Sequence, residues 1–165
     1  MTEFNEYMEE YKKQLEKGVI QEAYQGLMEY IMSLRTHFES KFPEYTVSGN
    51  VYHGYMDMTY FALFTPSLKD RKLKIALVFN YDSFRFEVWL SGSNKQVQSK
   101  YWKLFRENSW DRYHIVPSLE GADSIIEDVL VDDPDFNDLD TLSDKIEKGT
   151  VRFIEDIKGF LSDYD

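Results

Sequence analysis

An α+β fold is the prediction for this 165-residue chain, and three features of its apolar spacing carry it. Apolar residues recur at helical intervals up to Pro43, alternate with period two from Tyr45, and return to helical intervals after Gly92. The length suits one domain over 1–165, large enough to bury a core without a disulfide or a structural metal.

The elements follow in order. Residues 3–17 place Phe4, Tyr7, Met8, Tyr11 and Leu15 on one side of a helix. Gly18 allows a turn, and 20–41 repeat the pattern with Ala23, Tyr24, Leu27, Met28, Ile31, Leu34 and Phe38 before Pro43 stops it. Together they predict an N-terminal helical hairpin. A four-stranded antiparallel meander is expected near 45–52, 56–64, 73–80 and 84–90. Three C-terminal helices are expected at about 94–107, 120–131 and 139–162, with "WDRYHIVPS" irregular or a short strand.

The register of the last two strands can be argued. Leu73, Ile75, Leu77 and Phe79 share one face, as do Phe84, Phe86, Val88 and Leu90. Both rows reach one core only if Phe79 lies opposite Phe86, because a slip of one residue reverses a strand. That requires a loop of two or four residues around Asp82 and Ser83. Asn80 then faces Arg85, Val78 faces Glu87, and Ala76 faces Trp89. The reverse face is half polar and carries a large indole.

Composition narrows the function classes. There is no cysteine, which excludes a disulfide framework, a thiolate zinc site and a cysteine nucleophile. The start, "MTEFNEYMEEYKK", lacks the features of a signal peptide, and apolar runs such as "IALVF" are too short to span a bilayer. The expectation is a cytoplasmic protein with no membrane contact. The net charge of −11 argues against nucleic acid. It is uneven: residues 56–112 hold ten bases and six acids, and residues 113–165 hold four bases and fifteen acids.

Motifs for chemistry are incomplete. Asp57 and Glu87 suggest a metal-dependent hydrolase or nuclease pair, but the position two after Glu87, where such sites place a lysine, is Trp89. Residues 133–144 space their acids like a calcium loop, yet Asp138 stands where a glycine is needed. Acids before a helix are the simpler explanation. "GNVYHG" begins like a phosphate-binding loop and then lacks its Lys and Ser/Thr. His37, His53 and His114 form no zinc motif, although His53 near Asp57 and Tyr60 suggests an acid–base cluster. No cofactor is implied.

The strings "HGYMDMTYFALF", "FRFEVWLSGSNKQ" and "KYWKLF", with "LMEYIMSLRTHF" and "DSIIEDVLVDDPDF", carry a resemblance over the whole chain. The sequence resembles a small uncharacterised family of low-GC Gram-positive bacteria, known only as a domain of unknown function. The resemblance implies a bacterial cytoplasmic protein and assigns no activity or catalytic residue. The residues themselves favour a non-enzymatic binding or interaction protein that meets a small molecule or a protein. Its expected contact face is Arg85, Glu87 and Trp89, with Asp57 and Tyr60 at the rim. The alternatives are the metal-dependent enzyme using Asp57 and Glu87, and an acidic inhibitor or immunity-type protein in which residues 120–140 mimic a polyanion.

Overall fold

The computed structural model describes residues 2–164 and divides into two compact units, the first ending at Leu34 and the second beginning at Arg35. The first unit consists of helix α1 (Thr2–Lys17) and most of α2 (Val19–Lys41). Between them Gly18 takes φ +75°, a left-handed conformation that glycine adopts without a Cβ penalty. Its N–H donates to the Leu15 carbonyl at 3.1 Å, ending α1. The two N-terminal helices form as expected. Phe4, Tyr7, Met8, Tyr11, Val19, Ile20 and Tyr24 are all exposed.

The second unit is built on one antiparallel sheet. Its strands are β1 (Thr46–Val47), β2 (Met58–Phe64), β3 (Leu73–Asn80), β4 (Arg85–Gly92), β5 (His114–Ile115) and β6 (Ile126–Val131). They lie in the order β1-β2-β3-β4-β6-β5, so among the described residues six strands replace the expected four. The expected strand over 45–52 is interrupted. Only Thr46 and Val47 pair regularly, and Tyr52 rejoins β2 through an isolated bridge to Tyr60. Between them Ser48 satisfies Ala62 with its side chain, its Oγ accepting from the Ala62 N–H at 3.0 Å.

The predicted helix over 120–131 is instead strand β6, so among the described residues two α-helices, not three, follow the β3–β4 hairpin: α4 (Lys95–Glu107) and α5 (Leu139–Leu161). A bulge explains the misreading. Val129 lies opposite Glu87 and Val131 opposite Phe86, so Leu130 is the extra residue. The bulge breaks strict alternation and leaves apolar residues at spacings that imitate a helix. A short helix, α3 (Pro66–Asp70), occupies what reads as a loop. Thr65 caps it, accepting from the Leu68 N–H, and Pro66 begins it.

The β3–β4 hairpin has the expected parity. Phe79 lies opposite Phe86 and Asn80 opposite Arg85, leaving a four-residue loop over 81–84. Leu73, Ile75, Leu77 and Phe79 are buried with Phe86, Val88 and Leu90, but Phe84, expected in the second row, falls in the loop at φ +54° and is exposed. Phe38, in the last turns of α2, reaches Phe61 on β2, with ring centroids 6.2 Å apart. Helix α5 packs on β6, where Gly149 admits Leu130; a Cβ at Gly149 would sit 2.7 Å from Leu130 Cδ2.

An ion cluster joins α5 to the end of α2. Glu147 accepts from Lys41 Nζ at 2.9 Å and lies 2.5 Å from His37 Nε2. Burial pushes Glu147 up, but the hydrogen bonds from His37 and Lys41 outweigh it and hold the carboxyl below its ordinary value of 4.5. A depressed carboxyl stabilises the fold above its unfolded pKa, and that contribution fades as pH falls through the folded value. Glu147→Gln is therefore expected to cost about 1 kcal/mol at pH 7. The gap to the parent should close as pH falls below 4.5, read by urea unfolding at several pH values.

Candidate functional site

The reverse side of the sheet carries the candidate residues. Register places Tyr60, Val78 and Glu87 side by side on β2, β3 and β4, and Ala62, Ala76 and Trp89 one pair further along. Trp89 is only 9% exposed and forms a small cluster with Ala76 and Val78, against which Met58 and Tyr60 pack. The indole was expected as a contact residue of this face. It is the floor of the face instead, because two alanine- and valine-sized neighbours leave room for it against the sheet.

Glu87 is 4% exposed and holds that floor together. Its Oε1 accepts from Trp89 Nε1 at 2.8 Å, and its Oε2 accepts from Arg85 Nε at 2.7 Å. Asn80 Nδ2 at 3.4 Å and Ser83 Oγ at 3.3 Å complete the ring of donors around Oε2. A buried carboxylate is tolerable when its lone pairs are filled in this way. The hydrogen bond to Glu87 raises the Arg85 guanidinium above its ordinary value, and Arg85 reaches outward to Asp132 at 3.1 Å. Arg85, Glu87 and Trp89 are thus brought together.

Asp57 does not join them. It precedes β2, three residues from Tyr60, and Tyr60 is two strands from Glu87. At strand spacings of about 4.8 Å and 3.3 Å per residue, that puts the two carboxylates roughly 14 Å apart, beyond the reach of one ion. Among the described residues no group of three or more acids or histidines could hold a metal. The His53 ring makes no hydrogen bond to Asp57 or Tyr60 among the described residues; it is the His53 carbonyl that accepts, from Thr59 Oγ1. The acids of 133–144 serve α5: Asp138 caps it by accepting from Thr141 N–H and Oγ1, which lowers its pKa, and Asp144 pairs with Lys148.

Asp57 has a different task. Its Oδ1 accepts from the N–H groups of Tyr55 and Met58, both at 2.8 Å, and these bonds keep its carboxyl below the usual range. They close a tight loop after Gly54, whose φ is +78°. A Cβ at Gly54 would lie 1.9 Å from the Met58 carbonyl oxygen, so only glycine fits. The loop projects Tyr55, 89% exposed, and Met56, 61% exposed, into solvent just before β2. Met56 itself sits at φ +64°, a region that costs a side chain on the order of 1 kcal/mol. Inside this rim the Tyr52 and Tyr60 rings lie 5.1 Å apart, and Lys74 Nζ sits 5.1 Å over the Tyr60 ring. Tyr52, Tyr55, Met56 and Lys74 were not among the residues expected here. The available signal was "GYMD", a glycine and an Asx-forming aspartate around two large apolar residues.

A family model described as a domain of unknown function (DUF7000) matches residues 4–161. No curated protein and no solved structure matches the chain.

Proposed function

We infer a function for this chain, which belongs to the DUF7000 family, from its own surface: it is a non-enzymatic binding protein that receives a partner on the reverse face of its sheet. The observation that carries this reading is the rim. A loop pinned by Asp57 and Gly54 holds Tyr55 and Met56 in solvent, and Met56 is kept in a costly conformation to do so. Two large apolar side chains held in solvent at the tip of a pinned loop point to use. Trp89 fills the floor, so the contact is a surface one, which suits a protein better than a small molecule. Tyr60 and Lys74 offer the partner an aromatic plane and a cation, with the Arg85–Glu87–Trp89 network fixing the sheet beneath. The charge of −11 disfavours nucleic acid and anionic membranes as partners. No helix among the described residues is long and apolar enough to cross a membrane, which is compatible with a cytoplasmic setting.

The test replaces the rim and leaves the floor. The full chain and a Tyr55→Ala, Met56→Gly variant are immobilised, and the proteins retained from a cytoplasmic extract are compared. A partner held by the parent should bind the variant at least about tenfold more weakly, as expected when exposed anchor residues are lost. Thermal stability should be unchanged or raised by up to about 1 kcal/mol, because Gly relieves the left-handed position. Equal retention of the same partner by both would remove the rim from the reading.

A further inference from the structure

The turn after α3, one side of α4 and the end of α5 converge on a small pocket. Lys100, Lys103 and Glu107 stand at intervals of three and four on α4, so they share one side of it. With Arg71, Tyr101 and Tyr164 they line a pocket of about 180 Å³. Arg71, which follows α3, is fixed at its wall by donating from Nη2 to the Leu161 carbonyl at 2.9 Å. Lys100 Nζ sits 5.1 Å over the Tyr101 ring. Three bases stand against one acid here, in a chain whose net charge is −11.

Two observations point to a ligand. Lys100 and Lys103 make no ion pair among the described residues, although acids far outnumber bases in the chain. Tyr101 is only 3% exposed, yet its hydroxyl makes no hydrogen bond among the described residues. A phenol buried to that degree is ordinarily paired, and the pocket that Tyr101 lines is where a partner can reach it. Ammonium groups and an unpaired phenol call for an acceptor that carries negative charge. The pocket is smaller than the roughly 300–1,000 Å³ that drug-sized ligands occupy, so the acceptor is a compact group. A phosphate group brings about −1.5 to −2 charges and three acceptor oxygens, one each for Lys100, Lys103 and Tyr101. A carboxylate brings less charge and fewer oxygens. We propose that this pocket binds the phosphate group of free phosphate or of a small phosphate monoester, with Lys100 and Lys103 supplying charge and the Tyr101 hydroxyl donating a hydrogen bond. None of these residues belongs to the reverse face of the sheet, so the site stands or falls apart from the function inferred for that face.

Backbone amide NMR of the full chain tests it, with inorganic phosphate and phenyl phosphate titrated side by side at constant ionic strength and about pH 7.5, where both are mostly dianions. Saturable shifts are expected at Arg71, over residues 100–107 and at Tyr164, with a Kd of about 1 mM because the lysines stay partly solvated. Tighter binding of the ester assigns the site to phosphorylated small molecules, and equal or weaker binding assigns it to free phosphate. Lys103→Gln should weaken binding about fivefold, while Lys69→Gln, the same charge change outside the pocket, should leave it within about twofold. Tyr101→Phe should also weaken binding about fivefold without lowering the thermal midpoint of the free protein, because the hydroxyl it removes has no partner in the chain. The inference is overturned by the lack of any saturable shift up to about 20 mM of either probe. A loss from Lys69→Gln equal to that from Lys103→Gln, or unchanged binding by Tyr101→Phe, overturns it as well.

Discussion

Glu87→Ala is expected to destabilise the second unit by about 3 kcal/mol, measured as a lowered urea midpoint at pH 7. The substitution removes the acceptor for Trp89 Nε1, which lies buried against the sheet, and one of the two carboxylates that Arg85 engages. Each abandoned buried donor costs on the order of 1 to 3 kcal/mol. The figure stays at the lower end of buried ion-pair losses because Arg85 is a third exposed and retains Asp132. Glu87→Gln keeps the shape but exchanges charge-assisted bonds for neutral ones, so it should cost about 1 to 2 kcal/mol. Asp132→Ala removes only an exposed partner and should cost less than about 1 kcal/mol. If Glu87→Ala unfolded within 1 kcal/mol of the parent, Glu87 would not be the residue that fixes the floor.

Phe79→Ala should cost about 3 to 5 kcal/mol, enough to unfold a large share of a domain of ordinary stability. Phe79 is fully buried at the hairpin end, and its ring lies 5.0 to 5.1 Å from those of Tyr81, Phe84 and Phe86. Phe136 closes the cluster from the segment before α5, 6.5 Å from Phe79. Removing the shared central ring leaves a cavity that four aromatic neighbours, each fixed by its own backbone, cannot collapse to fill. Phe84→Ala serves as the contrast. Phe84 is largely exposed at φ +54°, so it should cost under about 1 kcal/mol. Equal losses at both positions would mean that the cluster is not anchored on Phe79.

The pattern of what could be read from residues alone follows from where periodicity is pure. Strand β3 was expected over 73–80 and forms over those residues, because every other side chain enters one core and nothing interrupts the alternation. The pairing of Phe79 with Phe86 was legible for the same reason: a wrong register would have turned a whole apolar row outward. Strand β6 was not legible, since its bulge at Leu130 sets Ile126, Leu130 and Val131 at mixed spacings. The exposure of the α1 stripe was equally hidden. An apolar stripe states that a helix wants cover and does not say from where.

The site was half legible. Alternation put Arg85, Glu87 and Trp89 on one face, and that holds. It could not reveal that Trp89 folds down onto Ala76 and Val78, because only the small size of two neighbours on another strand permits it. Asp57 was selected as a carboxylate and serves through its acceptor geometry, shaping the loop that presents Tyr55 and Met56. Such roles depend on backbone N–H groups, which leave no mark in the side-chain pattern.

Amide hydrogen exchange of the full chain, with and without the protein captured in the rim experiment, addresses the central claim most directly. Binding on the reverse face predicts slowed exchange over residues 52–60 and 74–78, with 85–89 already slow in the free protein because the Glu87 network holds it. Protection confined to α4 or to the 118–124 loop, with 52–60 unchanged, would contradict the assignment of that face.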